Sequence, residues 1–521
     1  MPTRTQDSMH RTIPLPILDH RPDRIPSPHA PHQAEKKHKC GVVGLWGHPH
    51  GSRLIYLAMY AQQHRGQESA GIAVTDGRRL TGMTGMGLVS EIFDNRAIET
   101  LDAGGTLGAI GHNRYSTSGG SLSCNAQPLI ESYIAGQVGL AHNGNLLNAE
   151  ALRLAYEQAG HIFHTTSDTE VIIHLLASPQ QQQSPDPLAA TLRRLQGAFS
   201  LVFLFHDRIE VARDPWAWRP LVLGYVPTEH DGAGCALGRP HARGYPIVAS
   251  ETVALDVLGA TFDREIEPGE IVRIDSAGVH SRRFSPPAAR LARCVFEHVY
   301  FANPASRVFG QNVQTVRERL GERLATEAPV EADCVMPMPD SGRSAAAGYA
   351  RASGIPYREG IVPNRYVGRT FIKPSQAERT AAVRLKLNVV SDIVSGRRLI
   401  VVDDSIVRGT TTRAKMDQLR QAGAKEIHLR ISCPPIRHPC YFGVDFATRD
   451  QLIANGREID QIRKFLGVDS LHYLSQEGML SCVAGPAQDW CTACYDGDYR
   501  LDPDHPVTDI VADSPQLRIF G

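Results

Sequence analysis

The sequence predicts two domains of different fold class, an α+β sandwich of stacked sheets followed by an α/β domain built on a parallel sheet. The length of 521 residues is enough for two or three domains. From Cys40 to about residue 280, short apolar runs alternate with glycine and polar turns, as in antiparallel sheets. From about residue 295, helical stretches alternate with apolar strands, which is typical of a parallel sheet.

The composition favours a soluble globular protein. Apolar residues make up 42% and charged residues 21% of the chain. Lys plus Arg and Asp plus Glu are both 55, so the net charge of zero gives no indication of a nucleic-acid or membrane partner. No run of 18 apolar residues is present, so no transmembrane span is expected. The ten cysteines are sparse, which favours thiols or metal ligands in a cytoplasmic protein over a secreted disulfide framework.

The first 39 residues differ from the rest of the chain. They are rich in Pro, His and Arg and carry little apolar periodicity. No apolar core follows a basic start, so the segment does not fit a secretory signal. Two interpretations remain, a disordered leader or a propeptide that is removed before Cys40.

The first domain is predicted to contain short strands and two helices. Apolar periodicity indicates helices at 53–63 and 148–160. The segment QQQQSPDP at 180–187 is expected to be a polar surface loop. Strands are expected within CGVVGLWG, GIAVTDG, LGAIGHNRYS, GLAHNGNL, GAFSLVFLF and PLVLGYV.

The second domain is predicted to alternate helices and strands. The strands are expected within DCVMPMP, RRLIVVDDS and EIHLRIS, and the helices at 313–325, 344–352 and 411–422. A short tail from about residue 470 carries a Cys-x-x-Cys pair. These changes predict a leader at 1–39, a first domain at 40–285, a second at 286–470 and a tail at 471–521.

The strongest single motif is RLIVVDDSIVRGTTT at 398–412. Backbone N–H groups at the start of a helix can hold a phosphate, and hydroxyls add donors. Adjacent acids at a strand end suit ribose hydroxyls and Mg²⁺, a hard cation that prefers oxygen. The alternative is a strand followed by a capped helix whose acids are merely exposed. The residues concerned are Asp403, Asp404, Ser405, Thr410, Thr411 and Thr412.

This motif resembles the phosphoribosyl pyrophosphate (PRPP) binding motif of type I phosphoribosyltransferases. The resemblance implies that MPDSGRS at 338–344 helps to bind pyrophosphate and Mg²⁺, and that NRYVGRTFI at 364–372 folds over PRPP. It implies Mg²⁺ binding by Ser341, Asp403 and Asp404. It implies PRPP binding by Asp403, Asp404, Ser405, Arg408, Gly409, Thr410 and Thr411.

A separate set of fragments lies in the first domain, namely CGVVGLWGH, HRGQESAGIAV, GHNRYSTSG, LAHNGNL and SDTEV. Each fragment alone is weak evidence of function, since a lone Cys is usually a small buried hydrophobe and Asn-Gly favours a turn. Together they resemble the glutamine amidotransferase domains of the N-terminal-nucleophile class, which implies an αββα sandwich. The resemblance implies Cys40 as nucleophile and Asn143 with Gly144 as the oxyanion hole. It implies that Arg114 clamps the carboxylate of glutamine and Asp168 its α-ammonium.

The chemistry explains why the nucleophile would be N-terminal. With the leader removed, Cys40 gains a free α-amine, whose ordinary pKa of about 7.7–8.0 suits a base near neutral pH. The thiolate attacks the carboxamide, and the oxyanion hole holds the tetrahedral oxyanion. The glutaminase is therefore expected to be silent until cleavage between Lys39 and Cys40.

Both constellations stand in one chain in the order found in the amidophosphoribosyltransferase family, and the resemblance runs from Cys40 to about Cys494. It implies that ammonia from glutamine passes internally to C1 of PRPP, giving 5-phosphoribosylamine for purine synthesis. It also implies purine nucleotides as feedback ligands and a homo-oligomer. Two alternatives remain, a paralogous amidotransferase with another phosphoribosyl donor and a degenerate PRPP or nucleotide sensor.

Cys491 and Cys494 form a Cys-x-x-Cys pair, which commonly indicates a metal or redox site. In an iron–sulfur branch of the family, two further positions complete a structural [4Fe–4S] site. The resemblance implies Cys294 and Cys440 there, with Cys433 a competitor for the place of Cys440. Free buried thiols and a Zn²⁺ site remain open, because ligand type does not separate Fe–S from Zn.

Several positions depart from the family's usual pattern. Lys39 stands where an acid usually precedes the nucleophile, and Pro363 stands where a Lys usually precedes the 364–372 segment. The usual ARDPxGIRPL reads ARDPWAWRPL, so Ala217 replaces a Gly and Trp218 adds bulk. The usual SESCAL reads SETVAL at 250–255. The usual YFARPDS reads YFANPAS, which changes the Arg and Asp positions to Asn303 and Ala305.

Overall fold

Two antiparallel sheets occupy the chain from Lys39 to Arg283. The computed structural model describes residues 39–115, 122–228, 243–364, 387–444, 446 and 448–502. Within these ranges the strands of the two sheets are β1 (Lys39–Trp46), β2 (Ser69–Thr75), β3 (Leu80–Met86), β4 (Gly108–Tyr115), β5 (Leu129–Tyr133), β6 (Gly136–Leu146), β7 (Gly197–Leu204), β8 (Arg208–Arg213), β9 (Val222–Val226), β10 (Tyr245–Ala249), β11 (Thr261–Glu265), β12 (Glu270–Asp275) and β13 (Gly278–Arg283).

Short helices connect these strands. Two of them, α1 and α5, follow apolar patterns of helical period, and the side chain of Ser167 caps α5 by accepting the N–H of Thr169. The helices are α1 (Gly51–Ala61), α2 (Val89–Ile92), α3 (Asn95–Asp102), α4 (Ala149–Gln158), α5 (Asp168–Ala177), α6 (Pro179–Gln182), α7 (Pro187–Leu192) and α8 (Val253–Asp256), with 3₁₀ turns at Gln63–Arg65 and Ser123–Asn125.

The two sheets stack face to face with helices outside. The strand orders are β11-β9-β10-β1-β4-β2-β3 and β13-β12-β8-β7-β6-β5. Ile110 from one sheet and Val202 from the other belong to the same buried apolar cluster between them. Ile55 of α1 packs on the outer face of the first sheet, and Ile172 of α5 packs on that of the second. This layering confirms the predicted αββα sandwich, which is called the sandwich below (39–283).

The second part of the chain contains a parallel sheet. Its strands are β14 (Arg293–Cys294), β15 (Arg307–Val308), β16 (Gln311–Asn312), β17 (Cys334–Pro337), β18 (Ile361–Pro363), β19 (Leu387–Val389), β20 (Arg398–Asp403), β21 (Glu426–Ile431), β22 (Ser470–Tyr473) and β23 (Trp490–Cys491). Its helices are α9 (Val313–Glu327), α10 (Arg343–Ser353), α11 (Ser391–Val394), α12 (Thr410–Gln421), α13 (Ile459–Leu466), α14 (Gln476–Ser481) and α15 (Ala493–Asp496), with a π-helical turn at Glu297–Phe301 and 3₁₀ turns at Arg449–Gln451 and Ala487–Asp489.

The order β17-β20-β21-β22 is parallel throughout, as the sequence predicted. The carboxyl ends of these strands therefore meet at one edge of the sheet. Buried residues of α9, α10 and α12, such as Leu320, Ala346 and Met416, form one apolar core with the sheet. This part (293–502) is called the parallel-sheet region below, and it belongs to the same compact unit as the sandwich.

Most predicted elements are confirmed to within two residues at each end. The loop predicted at 180–187 is wrong in part, because α6 ends at Gln182 and α7 begins at Pro187. Gln is a good helix former, and the Asp186 carboxylate caps α7 by accepting the N–H of Ala189 at 3.0 Å. The last strand of the parallel sheet, β22, crosses the domain boundary predicted at 470. Among the described residues, no helix is long and apolar enough to span a membrane.

Candidate functional site

Cys40 lies in β1, directly opposite Arg114 of the neighbouring strand β4. Its side chain is buried. Arg114 donates from Nη1 to Glu68 Oε1 at 2.7 Å. Arg114, Glu68 and Asp168 all act electrostatically on the Cys40 thiol. The structure therefore brings together three residues predicted for the glutamine site, Cys40, Arg114 and Asp168.

The Cys40 thiol is a poor nucleophile in its present surroundings. Burial raises its pKa to about 12, and the Arg114 guanidinium offsets only part of that rise. The thiol is therefore protonated at neutral pH, whereas attack on a carboxamide needs the thiolate. The Cys40 nitrogen stands in a peptide bond with Lys39 inside β1, and a peptide nitrogen does not act as a base. Activation requires a proton acceptor next to the sulfur.

Asn143 and Gly144 lie inside β6 rather than in a turn, which rules out the turn interpretation of Asn-Gly. The Asn143 side chain is buried, and among the described residues its Nδ2 has no hydrogen-bond partner. Gly144 has φ +157, and a Cβ there would collide with the carbonyl oxygen of Ala198. A buried donor without a partner costs free energy unless a ligand accepts its hydrogen bond.

Asp168 is the first residue of α5, and it faces the strand that carries Asn143. Its Oδ2 accepts the backbone N–H of Leu146 at 2.9 Å, and its Oδ1 lies 3.5 Å from His142 Nδ1. Asp168 therefore fixes the end of β6 and contributes a negative charge near Cys40. Asp168 thus links the end of the strand that carries Asn143 to the surroundings of Cys40.

Asp403 is the last residue of β20, and Asp404 follows it at the carboxyl edge of the parallel sheet. The loop after the neighbouring strand β17 meets them, because Met338 donates its N–H to Val402 at 2.8 Å. That loop carries Ser341, which is half-buried, and it closes with Gly342 donating to Met338 at 2.9 Å. Both segments predicted to bind pyrophosphate and Mg²⁺ thus lie at the same sheet edge.

The two acids are crowded. Burial and the adjacent Asp404 raise the pKa of Asp403 well above its ordinary value, while Lys415 of α12 partly opposes the rise. Burial in turn lowers the pKa of Lys415. Asp404 accepts the hydroxyl of Ser405 at 2.5 Å. The arrangement of two neighbouring carboxylates near a half-buried cation favours an additional positive ligand.

Gly409 places the start of α12 beside these acids. It has φ +74, the left-handed conformation that suits glycine, and no side chain of the described residues caps the helix there. Arg408, Thr410 and Thr411 are exposed at this start, and Thr412 is buried. The free N–H groups of the first turn and the two hydroxyls form a set of donors of the kind that anions use.

Some predicted segments lie outside the described residues. These are residues 1–38 of the leader, 116–119 of GHNRYSTSG, all of NRYVGRTFI except Asn364, and the tail from 503. Pro363 is the last residue of β18 and pairs with Leu387 of β19. Asn303 and Ala305 lie in the turn that follows the π-helical segment.

A buried ion network joins the sandwich to the parallel-sheet region. Arg65 donates from Nη2 to Glu297 Oε2 at 2.7 Å and from Nε to Glu251 Oε1. Arg219 donates from Nη1 to Glu297 Oε1 at 3.1 Å and from Nη2 to the Phe442 carbonyl at 2.7 Å. Burial alone would raise the pKa of Glu251, but Arg65 holds it far below its ordinary value. Sequence reasoning missed all four charged members.

Arg317 of α9 continues this network towards the second site. It is buried, donates from Nε to the carbonyl of His298 at 2.7 Å, and interacts electrostatically with Asp404, Glu251 and Glu297. Charged groups thus run from the sandwich to the acids at the edge of the parallel sheet.

The four cysteines predicted as cluster ligands, Cys294, Cys440, Cys491 and Cys494, are neighbours and are called the cysteine group. Cys294 and Cys491 are partners in the parallel pairing of β14 and β23. Burial raises the pKa of Cys491 to about 11 and also raises those of Cys294 and Cys494, with electrostatic contributions from the other cysteines. In the described ranges, no three His, Cys, Asp or Glu side chains converge closely enough to hold a metal ion.

The cysteine group lies in largely apolar surroundings. Phe442 donates its backbone N–H to Cys440 Sγ at 3.3 Å. An apolar cluster that includes Trp218 and Phe442 packs against Cys440 and Cys491. The donor set is four thiols, which select Zn²⁺ or an iron–sulfur centre over Mg²⁺. Cys433 is buried beside Asp403, Asp404 and Tyr495, on the side of the second site.

Comparison with known proteins identifies the family. A family profile described as a glutamine amidotransferase domain matches residues 112–232. Amidophosphoribosyltransferase of Bacillus subtilis is 45% identical over 469 residues, covering 89% of this chain and 94% of that protein. The chain belongs to the amidophosphoribosyltransferase family.

Relatives from other kingdoms and solved structures agree with this family. Amidophosphoribosyltransferase 1, chloroplastic, of Arabidopsis thaliana is 45% identical over 468 residues, covering 90% of this chain and 79% of that protein. The solved glutamine PRPP amidotransferase of B. subtilis in complex with ADP and GMP has a TM-score of 0.79 at 43% identity, covering 88% of this chain and 97% of the other. These similarities confirm the predicted succession of an amidotransferase sandwich and a parallel-sheet domain within an amidophosphoribosyltransferase.

Proposed function

We propose that this chain makes 5-phosphoribosylamine from glutamine and PRPP, the first step of purine synthesis. The observation that carries the proposal is that two separate candidate sites lie in one compact unit and are bridged by hydrogen bonds and buried ion pairs. The segment 40–285 would hydrolyse glutamine, the segment 286–470 would bind PRPP, and the tail 471–521 would complete the cysteine group. The similarity over 89–90% of the chain to amidophosphoribosyltransferases supports this division.

In the proposed glutaminase, Cys40 attacks the glutamine carboxamide after the leader has been removed. The freed α-amine of Cys40 accepts the thiol proton. This base is needed because burial raises the pKa of the thiol and keeps it protonated. Asn143 Nδ2 and the N–H of Gly144 stabilise the oxyanion, a role supported by the unpartnered buried donor. Arg114 binds the substrate carboxylate and Asp168 its α-ammonium. The intact mass of the active protein tests whether the leader has been removed, since the proposal requires Cys40 to be its first residue.

In the proposed transferase, α12 and the turn before it hold the phosphate of PRPP. The donors are the backbone of Gly409, the hydroxyls of Ser405, Thr410 and Thr411, and the Arg408 guanidinium. Asp403 and Asp404 orient the ribose hydroxyls. Together with Ser341 they would hold Mg²⁺, which would balance the charge of the leaving pyrophosphate. The crowding of the two carboxylates supports a cation there.

For the cysteine group we propose a structural [4Fe–4S] cluster held by Cys294, Cys440, Cys491 and Cys494. The four thiols, the N–H donated to Cys440 Sγ and the apolar surroundings support this choice. The cluster would crosslink residues that are distant in sequence, from β14 to β23. Zinc is the competing occupant, and metal analysis of the purified protein separates the two.

Regulation and assembly complete the proposal. The B. subtilis structure carries ADP and GMP, which supports purine nucleotides as feedback ligands here. We expect a cytoplasmic homo-oligomer, in line with the bacterial and archaeal relatives and the sparse cysteines.

The decisive assay measures glutaminase activity with and without PRPP while trapping phosphoribosylamine. The proposal predicts that glutamine is hydrolysed faster when PRPP is present and that the trapped product equals the glutamate formed. Glutamate without phosphoribosylamine, or stimulation only by another phosphoribosyl compound, would instead indicate a paralogous amidotransferase. PRPP binding without any turnover would indicate a sensor.

A further inference from the structure

Glu297 is a buried carboxylate that two arginines of the sandwich share. It begins the π-helical turn at 297–301 in the parallel-sheet region, and its side chain is fully buried. Its Oε2 accepts a hydrogen bond from Arg65 Nη2 at 2.7 Å, and its Oε1 accepts one from Arg219 Nη1 at 3.1 Å. Both arginines are themselves buried, and a buried charge is costly unless it is paired. One carboxylate thus fixes two charged side chains of the sandwich at once.

The first of these arginines adjoins Arg114, the residue proposed to bind the carboxylate of glutamine. Gly66, the residue after Arg65, packs so closely on the backbone of Arg114 that a Cβ would lie 2.6 Å from the Arg114 nitrogen. Glu68 donates its N–H to the carbonyl of Arg114 at 2.9 Å, and its side chain accepts from Arg114 Nη1 at 2.7 Å. The segment 65–68 therefore determines where Arg114 lies, and Glu297 holds the first residue of that segment.

The second arginine adjoins the proposed oxyanion hole. Arg219 donates from Nη2 to the carbonyl oxygen of Phe442 at 2.7 Å. The next residue, Gly443, packs between Arg219 and Gly144, where a Cβ would lie 3.1 Å from both Arg219 Nη2 and the Gly144 carbonyl carbon. A displaced Arg219 would therefore release the backbone that supports Gly144. The two oxygens of Glu297 thus lead to two different parts of the glutamine site.

We propose that Glu297 is a positioning residue for the glutamine reaction, and that through its two arginines it aligns Arg114 with the oxyanion hole. The inference rests on the proposed glutaminase. Arg114 would bind the substrate carboxylate in the ground state and the transition state alike, so its displacement raises KM. The oxyanion exists only near the transition state, so displacement of Gly144 lowers kcat. The Arg65 and Arg219 contacts therefore act on different kinetic constants.

The test compares wild type with Arg65→Lys, Arg219→Lys and Glu297→Gln. Each Lys keeps the positive charge next to Glu297 but lacks the planar fork that lets Arg hold two partners. The Gln keeps the size of the side chain and one acceptor, and its amide N–H₂ faces an arginine that needs an acceptor.

Glu270→Gln is the matched control. Glu270 is also buried, and its Oε1 and Oε2 accept from Arg264 at 2.8 and 2.9 Å within the sandwich, where neither residue belongs to a predicted site. For each full-length protein, kcat and KM for release of glutamate from glutamine are measured at saturating PRPP. Phosphoribosylamine formation from glutamine and from free ammonia is measured in parallel, and circular dichroism reports folding.

We expect Arg65→Lys to raise KM for glutamine about tenfold with little change in kcat, and Arg219→Lys to lower kcat about tenfold with little change in KM. Glu297→Gln should do both. The ammonia-dependent rate should stay within about twofold of wild type in all variants, and Glu270→Gln should match wild type in every constant.

Unchanged kcat and KM in folded Glu297→Gln would overturn the inference. An equal loss of the glutamine-dependent and ammonia-dependent reactions would also overturn it, because a purely structural role affects both. If Glu297→Gln does not fold, the two Lys variants decide, and a change of the same constant in both would contradict the division. Glutamate release without phosphoribosylamine in wild type would instead contradict the proposed transferase, and the glutaminase constants would still decide the role of Glu297.

Discussion

Asn145 donates from its side-chain Nδ2 to the carbonyl oxygen of Tyr441, with 2.9 Å between the two atoms. Asn145 lies in β6 directly after Asn143 and Gly144, whereas Tyr441 belongs to the parallel-sheet region. Two residues further on, Gly443 approaches so closely that a Cβ would lie 3.1 Å from the carbonyl carbon of Gly144. A shift of the 441–443 segment would therefore move the proposed oxyanion hole.

Asn145→Ala is expected to weaken the stimulation of glutaminase activity by PRPP. Loss of one hydrogen bond of about 1 kcal/mol corresponds to about fivefold less stimulation. The measurement is the ratio of glutaminase rates with and without PRPP. Asn148→Ala is the matched control, because its side chain bonds to Arg194 and Gln196 within the sandwich. An unchanged ratio in Asn145→Ala would show that this bond does not couple the sites.

Asn143→Ala is expected to reduce glutamine-dependent turnover by about 10²–10³-fold, the typical cost of removing one oxyanion-hole donor. Synthesis from free ammonia should persist, since that reaction bypasses the sandwich. Asn113→Ala is the comparison, because the buried Nδ2 of Asn113 already donates to the carbonyl of Met59 at 2.8 Å. Equal losses of glutaminase kcat in the two variants would argue against an oxyanion role for Asn143.

Ala217→Gly is expected to stabilise the protein by about 1 kcal/mol, because a residue with a Cβ is strained in the left-handed region. Ala217 is buried with φ +60, at the position where the family usually has Gly. The measurement is the midpoint of urea unfolding. Ala212→Gly in β8 is the control and should cost about 1 kcal/mol, since Gly in a strand loses more conformational entropy. Destabilisation by both changes would contradict the strain at residue 217.

Glu170 is expected to stabilise the fold only above acidic pH. Burial alone would raise its pKa, but hydrogen bonds from His174 and from the N–H groups of His164 and Thr165 lower it to about 2, from an ordinary 4.5. A carboxylate whose folded pKa is depressed contributes stability above its unfolded pKa, and this contribution is lost as the pH falls towards the folded pKa.

Chemical unfolding measured from pH about 6 to about 3 tests this expectation. After allowance for solvent screening, the free energy of unfolding of wild type should fall by about 1–2 kcal/mol over this range. Glu170→Gln should lack this fall. Glu157→Gln, which changes a carboxylate 38% exposed on α4, should behave like wild type. Parallel curves for wild type and Glu170→Gln would contradict the account.

Local patterns were sufficient to predict the sheets and the principal helices. Asp403, Asp404 and Gly409 lie close together in sequence, so their convergence follows from one strand and one helix. The ion network was not predictable in this way. Arg65 meets Glu251 and Glu297 across 186 and 232 positions, and only the three-dimensional packing brings such pairs together. The local preference of the Asn-Gly pair for a turn was misleading. In the structure the pair lies within β6, because its pairing with β7 outweighs that preference.

The central claim is that one site releases ammonia from glutamine and a separate site uses it. The variant Cys40→Ala tests this claim most directly. Phosphoribosylamine formation is measured with glutamine and, in parallel, with a high concentration of ammonia. Cys482→Ala controls for loss of a buried thiol, since Cys482 lies at the end of α14 and donates to the carbonyl of Gly478 at 3.2 Å. The account predicts that Cys40→Ala loses the glutamine-dependent reaction and keeps the ammonia-dependent rate within about twofold of wild type. Glutamine-dependent synthesis that survives in Cys40→Ala, or loss of both reactions in a folded protein, would contradict it.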